Sequence, residues 1–253
     1  MTRLTCMGLT TVPMVKPGND LASLLIQAIT RETGGLQEGD VLVVAQKVVS
    51  KAEGRRVSLD TVVPGEDARR LARQADKDPR LVHLILSESA EVLRVRPGLI
   101  VVEHRLGFVC ANAGIDHSNV AGGDEMVLLL PENPDRSAAA LRSALRRHFG
   151  VENLAVIIND SHGRAWRLGT VGVAIGVAGL HPLTDRRGQP DLMGRVLRVT
   201  VIGTADELAA AASAVMGQAA EGIPAVVLRG ATFAPGEGHL VDLLRPRDED
   251  LFR

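Results

Sequence analysis

The sequence predicts a mixed α/β fold (α+β), built of mixed sheets with flanking helices, on three observations. Apolar residues make up 45% of the chain but aromatics only 2%. A core must therefore come from Val, Leu, Ile and Ala, which suits layered strands and helices better than an aromatic-rich sandwich. Short apolar runs such as Val41–Ala45 also alternate with helical spacings such as Asp20–Ile29. Third, neither a G-x-G-x-x-G fingerprint nor a Walker A lysine motif occurs, so the fold is not a Rossmann or P-loop fold. The 253 residues read as a single unit, 1–253, with one weak seam near 131–137.

Taken in order, Leu4–Val15 alternates loosely and reads as a first strand whose exit is Val12-Pro13-Met14-Val15. Asp20–Ile29 is a helix with Asn19 or Asp20 as N-cap, stopped by Gly34-Gly35. Val41–Ala45 is a buried-strand run, and Gln46–Gly54 follows directly. That places Gln46, Lys47 and Lys51 just beyond a strand's carboxyl end, where α/β proteins bind ligands. Lysines there either meet phosphate or line a solvated helix face. Asp67–Gln74 is a charged helix, and Asp78-Pro79 opens another with Leu81, Leu84, Ile85 and Leu86 inward and Glu88 on the polar face. Leu99–Val102 is a strand, ended by the charged break Glu103-His104-Arg105.

Met126–Leu130 is a strand closed by Pro131, and Ser137–Phe149 is a helix with Arg142, Arg146 and Arg147 outward. Val156–Ile158 is a strand. Trp166, the one tryptophan, stacks on a ring or packs in the core, with packing favoured. Gly169–Gly179 is glycine-rich in the manner of close backbone packing. Thr184–Gly188 is a polar loop, Val196–Ile202 a strand, Asp206–Met216 an alanine-rich helix and Ala225–Leu228 a short strand. The tail beyond Gly236 is charged and reads as frayed.

A net charge of −1 argues against a nucleic-acid surface. Cys6 and Cys110 form no disulfide framework, and no Cys/His zinc spacing exists. No signal peptide is recognisable, and no apolar run approaches the roughly 20 residues of a membrane span. The expectation is a soluble cytoplasmic protein without membrane or nucleic-acid partners.

Two stretches carry candidate chemistry. In Val109–Val120 an apolar run breaks into Asn112, Gly114, Asp116, His117, Ser118 and Asn119. Small, turn-forming residues there read as a strand end opening into a tight loop. Val156–Arg164 repeats the design, with Asn159, Asp160, Ser161, His162 and Gly163 behind a strand. An Asx-rich turn is the plain reading of either. Two strand-end aspartates with oxygen-rich flanks also suit a hard cation such as magnesium, which takes oxygen ligands and leaves room for phosphates.

With these stretches read, the chain resembles the coenzyme F420-0:gamma-glutamyl ligase family. The pieces that carry the resemblance are Gly39–Gly54, Gly107–Val120, Ala174–Leu180 and Gly222–Gly230, within a similarity running from about Val12 to Gly230. The resemblance implies one ligase-type catalytic unit that uses GTP to join L-glutamate, through its amine, to the carboxylate of F420-0; some members add further gamma-linked glutamates. It implies that Asp116 and Asp160 bind divalent metals, magnesium or manganese and two in number, with Ser161 and Gln218 completing a second site. A potassium ion is also compatible with it. The guanine nucleotide would lie along Val12, Pro13, Met14 and Val15, Gln46, Lys47, Lys51 and Asn119. Its path would continue over Met216, Gly217, Gln218, Ala219, Ala220, Glu221, Gly222 and Ile223. Asp116, Asp160 and Lys51 would be catalytic, and the assembly a homodimer.

Two residues depart from the pattern. Gln218 stands where some members have a carboxylate, and a neutral amide is a weaker ligand for a hard cation. His162 stands where the family more often has another side chain. Amide formation needs an activated carboxylate, so phosphoryl transfer from GTP would give an acyl phosphate that the glutamate amine attacks. Arg164, Arg167, Arg186 and Arg195 are candidates for gripping carboxylates or a phosphodiester. The rival readings are a related carboxylate–amine ligase with a different acceptor and a nucleotide-binding module without ligation.

Overall fold

The structure is a computed structural model and describes residues 3–117, 123 and 125–251. Its centre is a five-stranded mixed sheet in the order β1-β12-β2-β8-β9. These strands are β1 (Thr5–Leu9), β2 (Val41–Ala45), β8 (Ala155–Arg164), β9 (Arg167–Ala178) and β12 (Ala225–Arg229). Only β2 and β8 run parallel; the other pairings are antiparallel.

Strand alternation divides the core in two. Leu42, Val44, Val156 and Ile158 face helices α1 (Leu21–Thr33) and α5 (Pro134–Phe149), where Leu25, Ile29, Leu141 and Leu145 are buried. Val41, Val43, Ala155 and Ile157 face α6 (Thr204–Met216), which offers Ala205, Leu208, Ala209, Ala212 and Met216. A sheet covered on both faces explains why its central strands read as unbroken apolar runs.

Local chemistry sets the ends of these elements. Asp20 caps α1 by accepting from the Ser23 backbone N–H at 3.1 Å, and Gly34 ends it with φ +72°. Buried Asp40, at the mouth of β2, is clamped by Arg229 of β12 through Nε (3.0 Å) and Nη2 (2.8 Å). Gly172 of β9 is required by close approach: a Cβ there would lie 2.5 Å from Ser213 Cβ and 2.7 Å from the Ala209 carbonyl oxygen of α6.

A second layer extends the α1/α5 side of the core. It comprises α2 (Gln46–Ala52), α3 (Glu66–Ala75), α4 (Pro79–Ser87), the pair β3 (Arg56–Ser58) and β7 (Met126–Leu128), and a sheet of β4 (Ser89–Arg96), β5 (Leu99–His104) and β6 (Val109–Ala111). Residues 131–137 lead from β7 into α5, and this seam is bridged: the Glu132 N–H and the Ser137 hydroxyl both donate to the Glu53 carboxylate. The remaining strands, β10 (Thr184–Asp185) and β11 (Val201–Ile202), form a small separate pair.

Several expectations are corrected. Glu88 is buried rather than on a polar face, because Arg55 reaches both its oxygens at 3.0 Å and Arg105 Nε reaches Oε2 at 3.0 Å. Glu103 and His104 continue β5 instead of breaking it, and His104 is wholly buried. Arg142 is turned inward to donate to the Leu154 carbonyl at 2.6 Å. Trp166 is not packed: it caps the β8–β9 hairpin with φ +64° and is 88% exposed. Strand β11 is two residues: ahead of it the chain meets residues 186–191 only through isolated backbone bonds and a single bridge, Val196 to Pro190, and Val196 and Val199 stay exposed. The tail is not wholly frayed, for Leu240 is buried in a 3-10 turn and Arg247 pairs with Glu91. No helix among the described residues is long and apolar enough to cross a membrane.

Candidate functional site

The register of β2 against β8 brings the two candidate stretches together. Ala45, the last residue of β2, pairs with Asn159. Beyond that pair β2 becomes α2, while β8 continues through Asp160 to Arg164 against β9. Asp160 therefore lies inside a strand, not in a loop after its end. Antiparallel pairing with Val173 holds the polar residues extended. Neighbouring strands run roughly 4.8 Å apart, so α2 begins beside Asp160.

Asp116 reaches the same place from the other side. After β6 the backbone makes one left-handed turn, Asn112 (φ +50°), Ala113 (φ +54°) and Gly114 (φ +65°). The Asn112 carboxamide oxygen pins the turn by accepting from the Ile100 N–H at 3.1 Å. Such a run is costly for non-glycine residues and persists only where the surroundings impose it. Asp116 follows, fixed by paired backbone bonds with Leu128, both 2.9 Å. Its carboxylate accepts from Gln46 Nε2 at 2.6 Å and lies 3.1 Å from Lys47 Nζ. Gln46 is itself oriented by the Ser50 hydroxyl, which donates to its Oε1 at 2.9 Å.

The electrostatics show what this arrangement favours. Burial and the Asp160 charge push the Asp116 carboxyl above its ordinary range, although Lys47 and Gln46 work against the rise. The two carboxylates repel one another in a partly dry place, and a cation held by both would relieve that repulsion. Burial, then the charges of Lys47 and Arg56, lower the Lys51 ammonium, with Asp116 opposing. Lys47, Lys51 and Arg56 thus form a cationic rim next to the acidic pair, a pattern suited to phosphate oxygens. Burial and the Asp160 charge hold the Cys110 thiol up at about 12, so this cysteine is no nucleophile.

Asp160 is engaged by a residue whose role the sequence did not suggest. His162 Nε2 lies 3.0 Å from Asp160 Oδ2, on the same face of β8. Ser161 alternates to the other face and donates to Gln218 Oε1 at 2.6 Å, and Gln218 Nε2 donates to Ser213 at 2.9 Å. Asn159 donates to Met216 Sδ at 3.6 Å, while its buried Oδ1 has no partner. The structure thus joins Gln46, Lys47 and Asp116 in one contact group and Asp160 with His162 in another, and places Ser161 with Gln218 across the strand. Asp206, a half-buried carboxylate of α6, is raised by burial and senses His162. Nothing in its helical context marked it.

The expected nucleotide path divides by burial. Met14 is exposed, whereas Val15 and Met216 are buried in the two core clusters and Ile223 packs against one of them. Val15 and Met216 offer a ligand little beyond backbone, whereas Ile223 keeps part of its side chain accessible. The segment ahead of Val12 is held by Glu32, whose carboxylate accepts from the N–H and hydroxyl of both Thr10 and Thr11 at 2.7–3.0 Å. Gly217 and Gly222 bound a tight loop in which Glu221 accepts from the Ala219 N–H at 2.8 Å. Asn119 and Ser118 lie outside the described residues.

Among the described residues no three of His, Cys, Asp and Glu converge as a preformed metal cage. The ligand atoms on offer are the carboxylate oxygens of Asp116 and Asp160, held by nitrogen groups: Gln46 and Lys47 on the first, His162 on the second. That chemistry fits a hard cation which keeps water and takes phosphate oxygens, rather than a closed structural site.

A family described as F420-0:Gamma-glutamyl ligase matches residues 10–230. The Coenzyme F420:L-glutamate ligase of Methanothermobacter thermautotrophicus is 49% identical over 252 residues, 99% of either chain. That of Methanopyrus kandleri is 52% identical over 216 residues, covering 85% of this chain and 82% of its own. The Archaeoglobus fulgidus protein of the same name is 44% identical over 242 residues, 96% of this chain and 93% of its own.

Proposed function

The chain belongs to the F420-0:Gamma-glutamyl ligase family, and from that premise we propose that it joins L-glutamate to coenzyme F420-0 in a GTP-dependent reaction. The observation that carries this reading is the acidic pair Asp116 and Asp160 beside the cationic rim of Lys47, Lys51 and Arg56. Opposed charges of this kind suit a metal–triphosphate complex, whose cations and phosphates need both signs close together.

The terminal phosphoryl group of GTP passes to the lactyl carboxylate of F420-0, giving GDP and an acyl phosphate. The glutamate amine then attacks the activated carbonyl carbon; the bond to phosphate breaks, an amide forms, and the amine's proton goes to solvent. One or two magnesium or manganese ions, when bound through Asp116 and Asp160, supply charge neutralisation on the transferring group. Lys47 fixes the Asp116 carboxylate in place, Gln46 orients its second oxygen, and Lys51 adds positive charge at the phosphates. Positioning supplies most of the rate, and no side chain forms a covalent intermediate. The same fold presents Trp166, Leu168, Leu192, Met193, Val196 and Val199 to solvent. So much exposed apolar surface supports a homodimer.

The test is a single-turnover assay with GTP, manganese, F420-0 and glutamate, read as GDP release and product mass. GDP release that requires both co-substrates, with a product heavier by one or more glutamates, supports the reading. Release with glutamate and another acceptor but not F420-0 assigns a related ligase, and nucleotide binding without turnover assigns a regulatory module.

A further inference from the structure

The ring of His162 is held from both sides. Its Nε2 meets Asp160 Oδ2 at 3.0 Å, and the Phe108 ring lies against it with centroids 5.2 Å apart at 47°. Phe108 is buried and stacks in parallel on His104, again at 5.2 Å, with the planes 4° apart. His104 cannot turn, because its Nδ1 accepts from the Leu106 N–H at 3.0 Å. That bond leaves the ring proton on Nε2, facing Glu88 at 3.7 Å. Glu88 is in turn gripped by Arg55 and Arg105. An unbroken stack of packed rings thus runs from a buried ion-pair hub to one oxygen of Asp160.

We propose that His162 is a positioning residue for the cation site: its N–H fixes the Asp160 carboxylate, and Phe108 and His104 fix the imidazole. The inference rests on the reading that Asp160 binds a cation. A free aspartate rotates about two side-chain bonds and presents either oxygen in several directions. With Oδ2 tied to His162, the direction of Oδ1 is fixed as well. Partners that orient a ligating carboxylate typically contribute about 10–100-fold to metal affinity. A phenylalanine at this position would keep the ring packing and lose the tether, so the histidine adds a donor to a shape the site already needs.

The experiment titrates manganese into the ligand-free protein and follows the free ion by electron paramagnetic resonance, with melting curves on the same samples. His162→Phe should raise the manganese Kd about 10–100-fold with an unchanged melting temperature, and His162→Gln, which keeps a donor, should recover most of the loss. In the Asp160→Asn background, His162→Phe should add little, since both changes act through one carboxylate. If Asp160→Asn abolishes tight manganese binding while His162→Phe binds like the parent, the positioning role is wrong and the cation reading stands. If Asp160→Asn itself binds manganese like the parent, the cation reading falls and takes this proposal with it. Should His162→Phe melt low, Phe108→Leu, which loosens the ring but leaves the hydrogen bond, must weaken manganese binding; parental affinity there overturns the proposal.

Discussion

Lys47 Nζ lies 3.1 Å from Asp116 Oδ1, and Asp116 is nevertheless shifted towards its protonated form by burial and by Asp160. The lysine compensates the site incompletely. In the ligand-free protein, Asp116 consequently opposes folding at neutral pH. A carboxyl raised in the folded state stabilises fully only below its unfolded pKa of about 4, and that contribution is lost as pH rises through the folded value. Asp116→Asn should therefore melt at the same temperature or higher than the parent at pH 7, with the gain shrinking as pH falls from the raised folded value and gone by about pH 4. Turnover should fall by about 10²-fold or more. A variant that melts lower at pH 7 would show that Asp116 is structural.

Asp160→Asn keeps the shape of the side chain and removes one negative charge. Turnover should drop by at least about 10²-fold. The melting temperature without ligand should hold or rise, while the stabilisation given by manganese with GDP disappears. Retained activity with a lowered melting temperature would instead mark Asp160 as a packing residue.

Lys51 sits in a field already made positive by Lys47 and Arg56. Lys51→Met should weaken GTP binding or turnover by about 10-fold or more, about 1.4 kcal/mol, and should flatten the dependence of GTP affinity on salt. Calorimetric titrations at two ionic strengths check both. Unchanged affinity would leave Lys51 as a solvated face residue.

Arg55 and Arg105 hold Glu88 at one buried point with His104 Nε2 3.7 Å away, and against the cost of burial these neighbours keep its carboxyl at about 2. Glu88→Ala leaves two arginines uncompensated and should cost about 3–5 kcal/mol. The expected fall in melting temperature is on the order of 10 °C. The depressed carboxyl contributes stability above about pH 4 that is lost as pH falls towards 2, so the gap between variant and parent should narrow over that window.

For the dimer, light scattering at micromolar concentration should report twice the 26.9 kDa chain mass. Replacing Leu192 and Met193 by Asp should shift the distribution towards monomer if that apolar surface is the contact. A parent that is monomeric at this concentration removes the homodimer.

The sequence was most readable where one local interaction decides the outcome. Asp20 and Gly34 announce both ends of α1, and the run Val41–Ala45 is apolar because both faces of its strand are covered. It was least readable where the deciding partner is distant. Glu88 looks like a surface residue until Arg55 and Arg105 arrive from other elements. Strand β4 escaped notice because its charged alternation belongs to a half-exposed edge with two register shifts. Residues 196–199 fold back on 186–191 through isolated backbone bonds and one bridge, Val196 to Pro190, too irregular to make the continuous strand their composition suggests. In the site, motif resemblance singles out Asp116, Asp160 and Lys51 but implies contacts without stating them. The Gln46–Asp116 bond joins residues 70 apart through a left-handed turn, and the His162–Asp160 bond needs β8 to run on to Arg164, well past the apolar run that marks the strand.

Gly172 lies opposite Ser161 in the β8–β9 register, and its missing side chain sets how closely α6 approaches that hairpin. The helix ends at Met216, and its exit delivers Gln218 to Ser161. A single methyl group at position 172 would force the helix outward along its length, and the displacement would surface at the loop that follows. The spacing of a core is thereby read out at the rim, much as the pivot of a lever is read at its tip. Sequence change in the interior of this protein can silence the rim while leaving every polar residue there untouched.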